Sequence, residues 1–258
     1  MKIAIIGVGN IGSWMANRLK EKNEVAVYDK IQERAQKIKG VSLLHSLNDL
    51  AQFQPELLLN AVNIQNTVSA FNLAKRHLPH NCILGDVTSV KGNLSEYYKN
   101  CGFRFVSIHP MFGPSLANVD RLEEENVIII KESDTEGISF FQNFFSSLGL
   151  NIFYYSFQEH DQIIAYSLSV PFASSLIFAA HLNSSAVPGT TFKKHLKIAK
   201  GLLAEDDYLL TEILFNPYSL AELEKITQRL EFLKHVIRER DYEEAFRFFQ
   251  RLRQNLKR

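Results

Sequence analysis

The chain has 258 residues, with 29 Lys+Arg against 28 Asp+Glu and a hydrophobic fraction of 46%. That length suits one large domain or two smaller ones, and a charge balance this close to zero argues against a nucleic-acid groove. Charged residues at 22% and aromatics at 11% are globular values that exclude wholesale disorder. Apolar stretches run only a few residues before a polar one, so no membrane span is expected, and the N-terminus does not read as a signal peptide. Cys82 and Cys101 show no CxxC spacing and are expected to be reduced, buried small hydrophobes in a cytoplasmic protein.

In chain order, the run Lys2–Ile6 ends on Gly7, a helical pattern follows from Ile11 to Lys20, and a second strand-like run, Glu24–Asp29, ends on an acid. This is strand, glycine turn, helix, strand: one βαβ unit. Leu57–Val62, Ile83–Asp86 and Phe103–Ile108 read as buried strands with helical spacers between them. Val127–Ile130 and Ile152–Tyr154 read as two more, around a Phe-rich helix at Ile138–Leu148. The alternation predicts an α/β fold: an N-terminal Rossmann-type, doubly wound, mostly parallel sheet over residues 1–156. From 157 to 258 the strand-like alternation stops, and an all-helical domain is expected. Its windows Ile163–Leu182 and Leu220–Arg238 have helical spacing, the second with Leu220, Leu223, Ile226, Leu230, Leu233 and Ile237 on one face. Val187–Thr191 is the clearest loop within it, and the basic run from Arg247 to Arg258 reads as a solvated helix face.

Gly7-Val8-Gly9-Asn10-Ile11-Gly12 matches G-x-G-x-x-G, directly after a strand and opening a helix. Gly7 allows the tight turn, Gly9 lets a pyrophosphate approach the backbone, and Gly12 lets helix and strand pack closely. The phosphates then meet the positive helix N-terminus, with Asn10 and Ile11 in its first turn. Asp29 stands 22 residues after Gly7, at the end of the second strand, where a carboxylate accepts the ribose hydroxyls and repels a 2′-phosphate. NAD is therefore expected over NADP, although Lys30 and Arg34 weaken that preference.

Three polar clusters fall where later strands end, the edge at which such sheets bind ligands. They are Asp86-Val87-Thr88-Ser89-Val90-Lys91, His109-Pro110-Met111-Phe112-Gly113-Pro114 and Glu159-His160-Asp161. A histidine at a strand end, with an ordinary pKa of about 6.5, is suited to taking a proton near neutrality. D-x-x-S-x-K followed by H-P-M-F-G-P and E-H-D, behind the glycine motif, resembles the prephenate dehydrogenase family and its arogenate-using relatives. The resemblance covers essentially the whole chain. It implies an NAD-dependent oxidative decarboxylation of prephenate in tyrosine biosynthesis, with arogenate as the alternative substrate.

By that resemblance His109 matches the histidine that binds the ring hydroxyl and assists its deprotonation, and Ser89 the serine that orients it. Lys91 is expected to orient Asp86 or to face water, and Glu159-His160-Asp161 to serve mainly as a helix-capping cluster. The chain also departs from the pattern. Where relatives carry S-H-L-P-H, it reads Leu168-Ser169-Val170-Pro171-Phe172, keeping Ser169 and the proline but neither histidine. Where they place an arginine on the ring carboxylate, it offers Lys193 and Lys197, point charges without arginine's fork. Glu205-Asp206-Asp207 reads as a solvated turn, although a carboxylate facing the pocket would favour arogenate's ammonium. The family also implies a homodimer through the helical domain. Two other readings stay open: a related two-domain dehydrogenase acting on another small acid or imine, and a nucleotide-binding sensor with a decayed site.

Overall fold

The computed structural model describes residues 1–112, 122–183 and 187–257. Among them the strands are β1 (Lys2–Ile6), β2 (Glu24–Tyr28), β3 (Ser42–Leu43), β4 (Leu57–Asn60), β5 (Ile83–Asp86), β6 (Arg104–Pro110), β7 (Asn126–Ile130) and β8 (Asn151–Tyr155). They form one sheet in the order β3-β2-β1-β4-β5-β6-β7-β8, parallel throughout except where β7 runs antiparallel to β6. The order doubles back between β1 and β4, and there the ends of two neighbouring strands open a crevice. Register confirms the alignment: Ile6 lies opposite Asn60, so Gly7 and Ala61 leave the sheet side by side.

The helices on this sheet are α1 (Asn10–Leu19), α2 (Gln32–Gln36), α3 (Leu50–Phe53), α4 (Thr67–Ala74), α5 (Leu94–Asn100), α6 (Thr135–Ser147) and α7 (Phe157–Ile164). Because they cover both faces, the inner strands are apolar along most of their length, with polar residues near their C-terminal ends. Ile3, Ala4, Ile5, Leu58, Leu59 and Leu84 have no exposure at all. The two-residue edge strand β3 carries too little pattern to be seen in the sequence. Cys82 and Cys101 are free and buried, and burial pushes the Cys82 thiol up to about 12.

Beyond α7 come α8 (Val170–Ala180), α9 (Thr190–Leu202), α10 (Asp207–Leu214), α11 (Ser219–Glu239) and α12 (Tyr242–Asn255). The expected boundary lay between 156 and 157. By packing, one compact unit is Met1–Ile164 with Glu205–Asn216, and the other is Ala165–Ala204 with Pro217–Arg258. Helix α7 and the returning helix α10 therefore belong with the sheet. Gly189 caps α9, which leaves the expected loop at Val187–Thr191 shorter by two residues.

The second unit leaves apolar surface uncovered. The face of α11 anticipated in the sequence is present, but Leu220 is 67% and Ile237 66% exposed. The continuous helical stretch Phe157–Ala180 is, by length and composition alone, long and apolar enough to cross a bilayer, with mean hydropathy 1.8 and 22% of its apolar window buried. The short apolar runs of the sequence reading passed over it, because polar residues such as His160 and Asp161 interrupt it.

Gly137 shows how tightly the first unit is packed. A Cβ there would stand 2.7 Å from the Val106 Cβ on β6. Gly137→Ala is expected to cost about 1–3 kcal/mol by overpacking, read as a lowered urea midpoint with an unchanged slope.

Candidate active site

The glycine turn does in the structure what its spacing implies. Gly7 has φ +87°, and a Cβ on it would meet the Val62 backbone nitrogen at 2.6 Å. Gly12 packs so closely on the Gly7 carbonyl that a side chain there has no room. Gly9 differs: nothing lies within 4 Å of the position its Cβ would occupy. It caps the N-terminus of α1, whose first turn holds no acidic residue, so the helix presents uncancelled positive potential to open space.

Two cavities, each of about 280 Å³, flank this turn and share Gly9, Ala61, Val62 and Asn63. The first is lined by Gly7, Asp29, Lys30 and Arg34. The second is lined by Asn10, Ile11, Ser89, Pro110, Phe112 and Glu205. A two-lobed ligand with an anionic middle, as a dinucleotide is, fits this pair, with its middle over Gly9. Asp29 does more than the sequence suggested. Its Oδ2 accepts the Val8 N–H at 2.7 Å and its Oδ1 the Ile31 N–H at 2.8 Å, so it also holds the turn in shape. Each carboxylate oxygen keeps a second lone pair for a ribose hydroxyl.

Behind the second cavity lies a buried polar network. Lys91, with no side-chain exposure, donates from Nζ to Asp86 Oδ1 at 2.9 Å and to the Ile108 carbonyl at 2.8 Å. The Tyr98 hydroxyl donates to Asp86 Oδ2 at 2.7 Å, and the Thr88 hydroxyl to Oδ1 at 2.7 Å. Next to it, His109 Nδ1 stands 3.0 Å from His160 Nε2, and His160 Nδ1 stands 2.8 Å from Asp161 Oδ1. Asp161 also accepts the backbone N–H groups of Lys91 and Gly92, both at 3.0 Å. The loop carrying Ser89 is thereby pinned to α7.

The placement of the sequence-derived residues is uneven. Gly7, Gly9, Asn10, Ile11, Asp29 and Ser89 gather around the two cavities, Gly12 packs behind them against Gly7, and His109 is buried at the end of β6, next to cavity-lining Pro110. Gly113 and Pro114 lie outside the described residues. Of the two expectations for Lys91 the structure has the first: it is the buried partner of Asp86, a cation that offsets the cost of a carboxylate in the core, and it does not face water. The capping role holds for Glu159, whose carboxylate accepts the Ser156 N–H at 2.7 Å while Ser156 Oγ accepts the Glu159 N–H at 3.1 Å. It does not hold for His160 and Asp161, which turn inward. The signal for them was available: Phe157, His160, Asp161 and Ile164 are the buried positions of α7, spaced i, i+3, i+4, i+7.

Glu205 and Asp206 are exposed, as expected of a solvated turn, and both also line the second cavity; Asp206 caps α10 through the Leu209 N–H. In the second unit, Lys193 and Lys197 are exposed on α9, while Ser169 is buried with its hydroxyl 2.6 Å from that of Ser219.

Burial drives the His109 imidazole well below its ordinary pKa, and the neighbouring His160 and Lys91 push it further down. His160 is lowered too, chiefly by burial. For Asp86, burial alone would raise the pKa, but the charge and hydrogen bond of Lys91 overcome it and hold the carboxyl low. All three groups take up protons less readily folded than unfolded, so their stabilisation is complete above the unfolded values and is lost as pH falls. The urea midpoint is therefore expected to drop steadily below about pH 6.5, where unfolded histidine protonates, and again through the carboxylate range. A flat midpoint between pH 7 and pH 5 would contradict the burial of both neutral histidines.

A crevice at the switch point of a doubly wound sheet, a glycine turn at a helix N-terminus and an acid closing the second strand define a dinucleotide-binding domain. The sequence profile of the prephenate dehydrogenase nucleotide-binding domain matches residues 15–154, and the chain belongs to the prephenate dehydrogenase family. Over 94% of its length the chain is 23% identical to a probable arogenate/prephenate dehydrogenase of Methanocaldococcus jannaschii, and over 91% it is 25% identical to chloroplastic arogenate dehydrogenase 1 of Arabidopsis thaliana. The matches span 58% and 39% of those two proteins. Among solved structures, prephenate dehydrogenase of A. aeolicus in complex with hydroxyphenyl propionate and NAD+ superposes with a TM-score of 0.86, at 20% identity, covering 100% of this chain and 97% of that one. Synechocystis arogenate dehydrogenase superposes with a TM-score of 0.79, also at 20% identity, covering 100% and 99%. These two likenesses establish the shared fold.

Proposed function

We propose that the protein is an NAD-dependent dehydrogenase that oxidatively decarboxylates prephenate, or its amino counterpart arogenate, in tyrosine biosynthesis. The observation that carries this reading is the joining of the dinucleotide cradle at Gly9 to a cavity holding Ser89, with a neutral buried histidine, His109, at the adjacent strand end. NAD+ bound in the cradle supplies the hydride acceptor. His109, uncharged at neutral pH, accepts the proton of the ring hydroxyl as the carbon beneath it is oxidised. Ser89 orients that hydroxyl, and loss of the ring carboxylate as CO2 then returns the electron pair that makes the ring aromatic. A decayed nucleotide sensor would need Gly7–Gly12 and Asp29 but would have no use for a buried neutral base.

The second cavity favours arogenate. Glu205 and Asp206 line it, and a carboxylate there attracts the side-chain ammonium that arogenate carries where prephenate has a keto group. For the ring carboxylate, Lys193 and Lys197 remain the proposed cations, with Ser169 as a polar neighbour. The uncovered apolar surface of the second unit supports a homodimer: Leu220, Ile237, Phe246 and Leu256 together expose more hydrophobic area than an isolated helical layer usually tolerates. We propose a cytoplasmic location, in keeping with the two free, buried cysteines.

The decisive assay follows NADH absorbance with purified protein and either prephenate or arogenate, each repeated with NADP+. NADH formation is expected with both substrates and faster with arogenate, and His109→Asn should lower turnover by about 10²- to 10⁴-fold while NAD+ still binds. Silence with both substrates would leave the family and the fold standing and refute the substrate assignment. Light scattering after size exclusion should return twice the chain mass at micromolar concentration; a monomer would refute the dimer.

A further inference from the structure

Two residues that the proposed chemistry does not touch lie in line behind His109. Asp161 is held by two backbone donors, Lys91 N–H at Oδ1 and Gly92 N–H at Oδ2, each at 3.0 Å. Those bonds, and the proximity of His160, keep its carboxyl below the ordinary carboxylate range even though burial opposes them. An ionised carboxylate only accepts hydrogen bonds. The nitrogen 2.8 Å from its Oδ1, His160 Nδ1, must therefore carry hydrogen. A neutral imidazole has one N–H, so His160 Nε2 bears a lone pair. His109 Nδ1 stands 3.0 Å from that lone pair, with the two rings inclined at 60°, and it must in turn be the donor. His109 is then left with its own lone pair on Nε2.

We infer that His160 and Asp161 are positioning residues that lock His109 in its Nδ1–H tautomer, so that Nε2 is the atom that accepts the substrate proton. The inference rests on the dehydrogenase reading only for the source of that proton. In water the opposite tautomer, with hydrogen on Nε2, is the more populated one, so an unsupported histidine at this position would present the wrong atom most of the time. The same chain serves the charged state. When Nε2 takes a proton, the His109 Nδ1–H bond to His160 becomes charge-assisted, and the Asp161 carboxylate lies one imidazole away.

The charges around His109 come from three elements. Lys91, from the loop after β5, disfavours a second cation, and Asp86 at the end of β5 neutralises it, with Tyr98 of α5 hydrogen-bonded to the far oxygen of Asp86. His160 and Asp161 come from α7. On the remaining side His109 is paired with Ile128 of β7, which is apolar.

The test begins with the wild-type protein labelled with ¹⁵N-histidine, free of substrate, at neutral pH. Long-range ¹H–¹⁵N correlation, assigned by loss of signals in His109→Asn, should show hydrogen on His109 Nδ1 and a lone-pair shift at Nε2. Hydrogen on Nε2 would overturn the inference whatever the protein oxidises. Asp161→Asn should then mix the two tautomers and lower turnover by about 10²- to 10⁴-fold. Loss of the carboxylate charge makes the His109 cation harder to form, so the acid limb of kcat/KM should move to lower pH. A lowered plateau with an unmoved limb and an unchanged tautomer would mean that Asp161 only braces the loop, and would also overturn the inference. Because the spectrum needs no substrate, an inactive protein showing the Nδ1–H signature would count against the substrate assignment and for the lock.

Discussion

The ammonium of Lys91 is the point on which the catalytic edge of the sheet hangs. It bonds the carboxylate that ends β5 and the carbonyl of Ile108, one residue before His109. Its own backbone N–H bonds Asp161 of α7. A single residue thus ties two strand ends and a helix together beside the loop that carries Ser89. A buried ion pair is a poor source of net stability, since desolvation offsets most of its Coulomb gain. Removing either partner is another matter, because the survivor is left charged in the core. The pair therefore acts as a geometric constraint: alternative positions of the β5 and β6 ends would break it. That constraint keeps Ser89 and His109 in register.

The same economy appears at the glycine turn. Asp29 holds the Val8 and Ile31 N–H groups, so the residue expected from the sequence to meet a ribose also sets the shape of the glycine turn. Its role in selectivity is consequently entangled with its role in folding. Lys30 and Arg34 line the same cavity, placing two cations beside the single acid.

How much of this could be read in the sequence follows from how local each signal is. The strands from β1 to β7, apart from β3, were legible because a strand buried on both faces writes a largely apolar run, and the exposed edge strand β8 through its short aromatic run. The cradle was legible because a glycine turn, a helix start and an acid sit within a single βαβ unit. Ser89 and His109 were legible through the motifs around them. The pairing of Lys91 with Asp86, five residues away, was among the expected alternatives, whereas His160 was misread and the Lys91–Asp161 link missed because those partners are distant: 70 residues separate Lys91 from Asp161, and 51 separate His109 from His160. Isolated polar residues on a helix look the same whether they cap it or line a buried network, until the opposing strand is in place. The division at Ile164 was missed for a related reason. Helical texture begins at Phe157, but packing assigns the first two turns to the sheet, and nothing in a helical pattern says which neighbour it will cover.

The return of residues 205–216 to the first unit carries the most consequence for selectivity. Helix α10 begins at the cavity, where Glu205 and the capping residue Asp206 sit, and just beyond its end the buried Asn216 donates to the backbone carbonyl of Asp161 at 2.9 Å. One short helix therefore links the acids that line the second cavity to the backbone of Asp161, the residue proposed above to position His109. A cap at one end and a buried amide bond at the other leave it little freedom to shift along its axis. On the function proposed above, the capping bond that fixes Asp206 is what lets a charge at the cavity tell an ammonium from a keto oxygen. A mobile acidic turn, by contrast, would be screened by water and would select nothing.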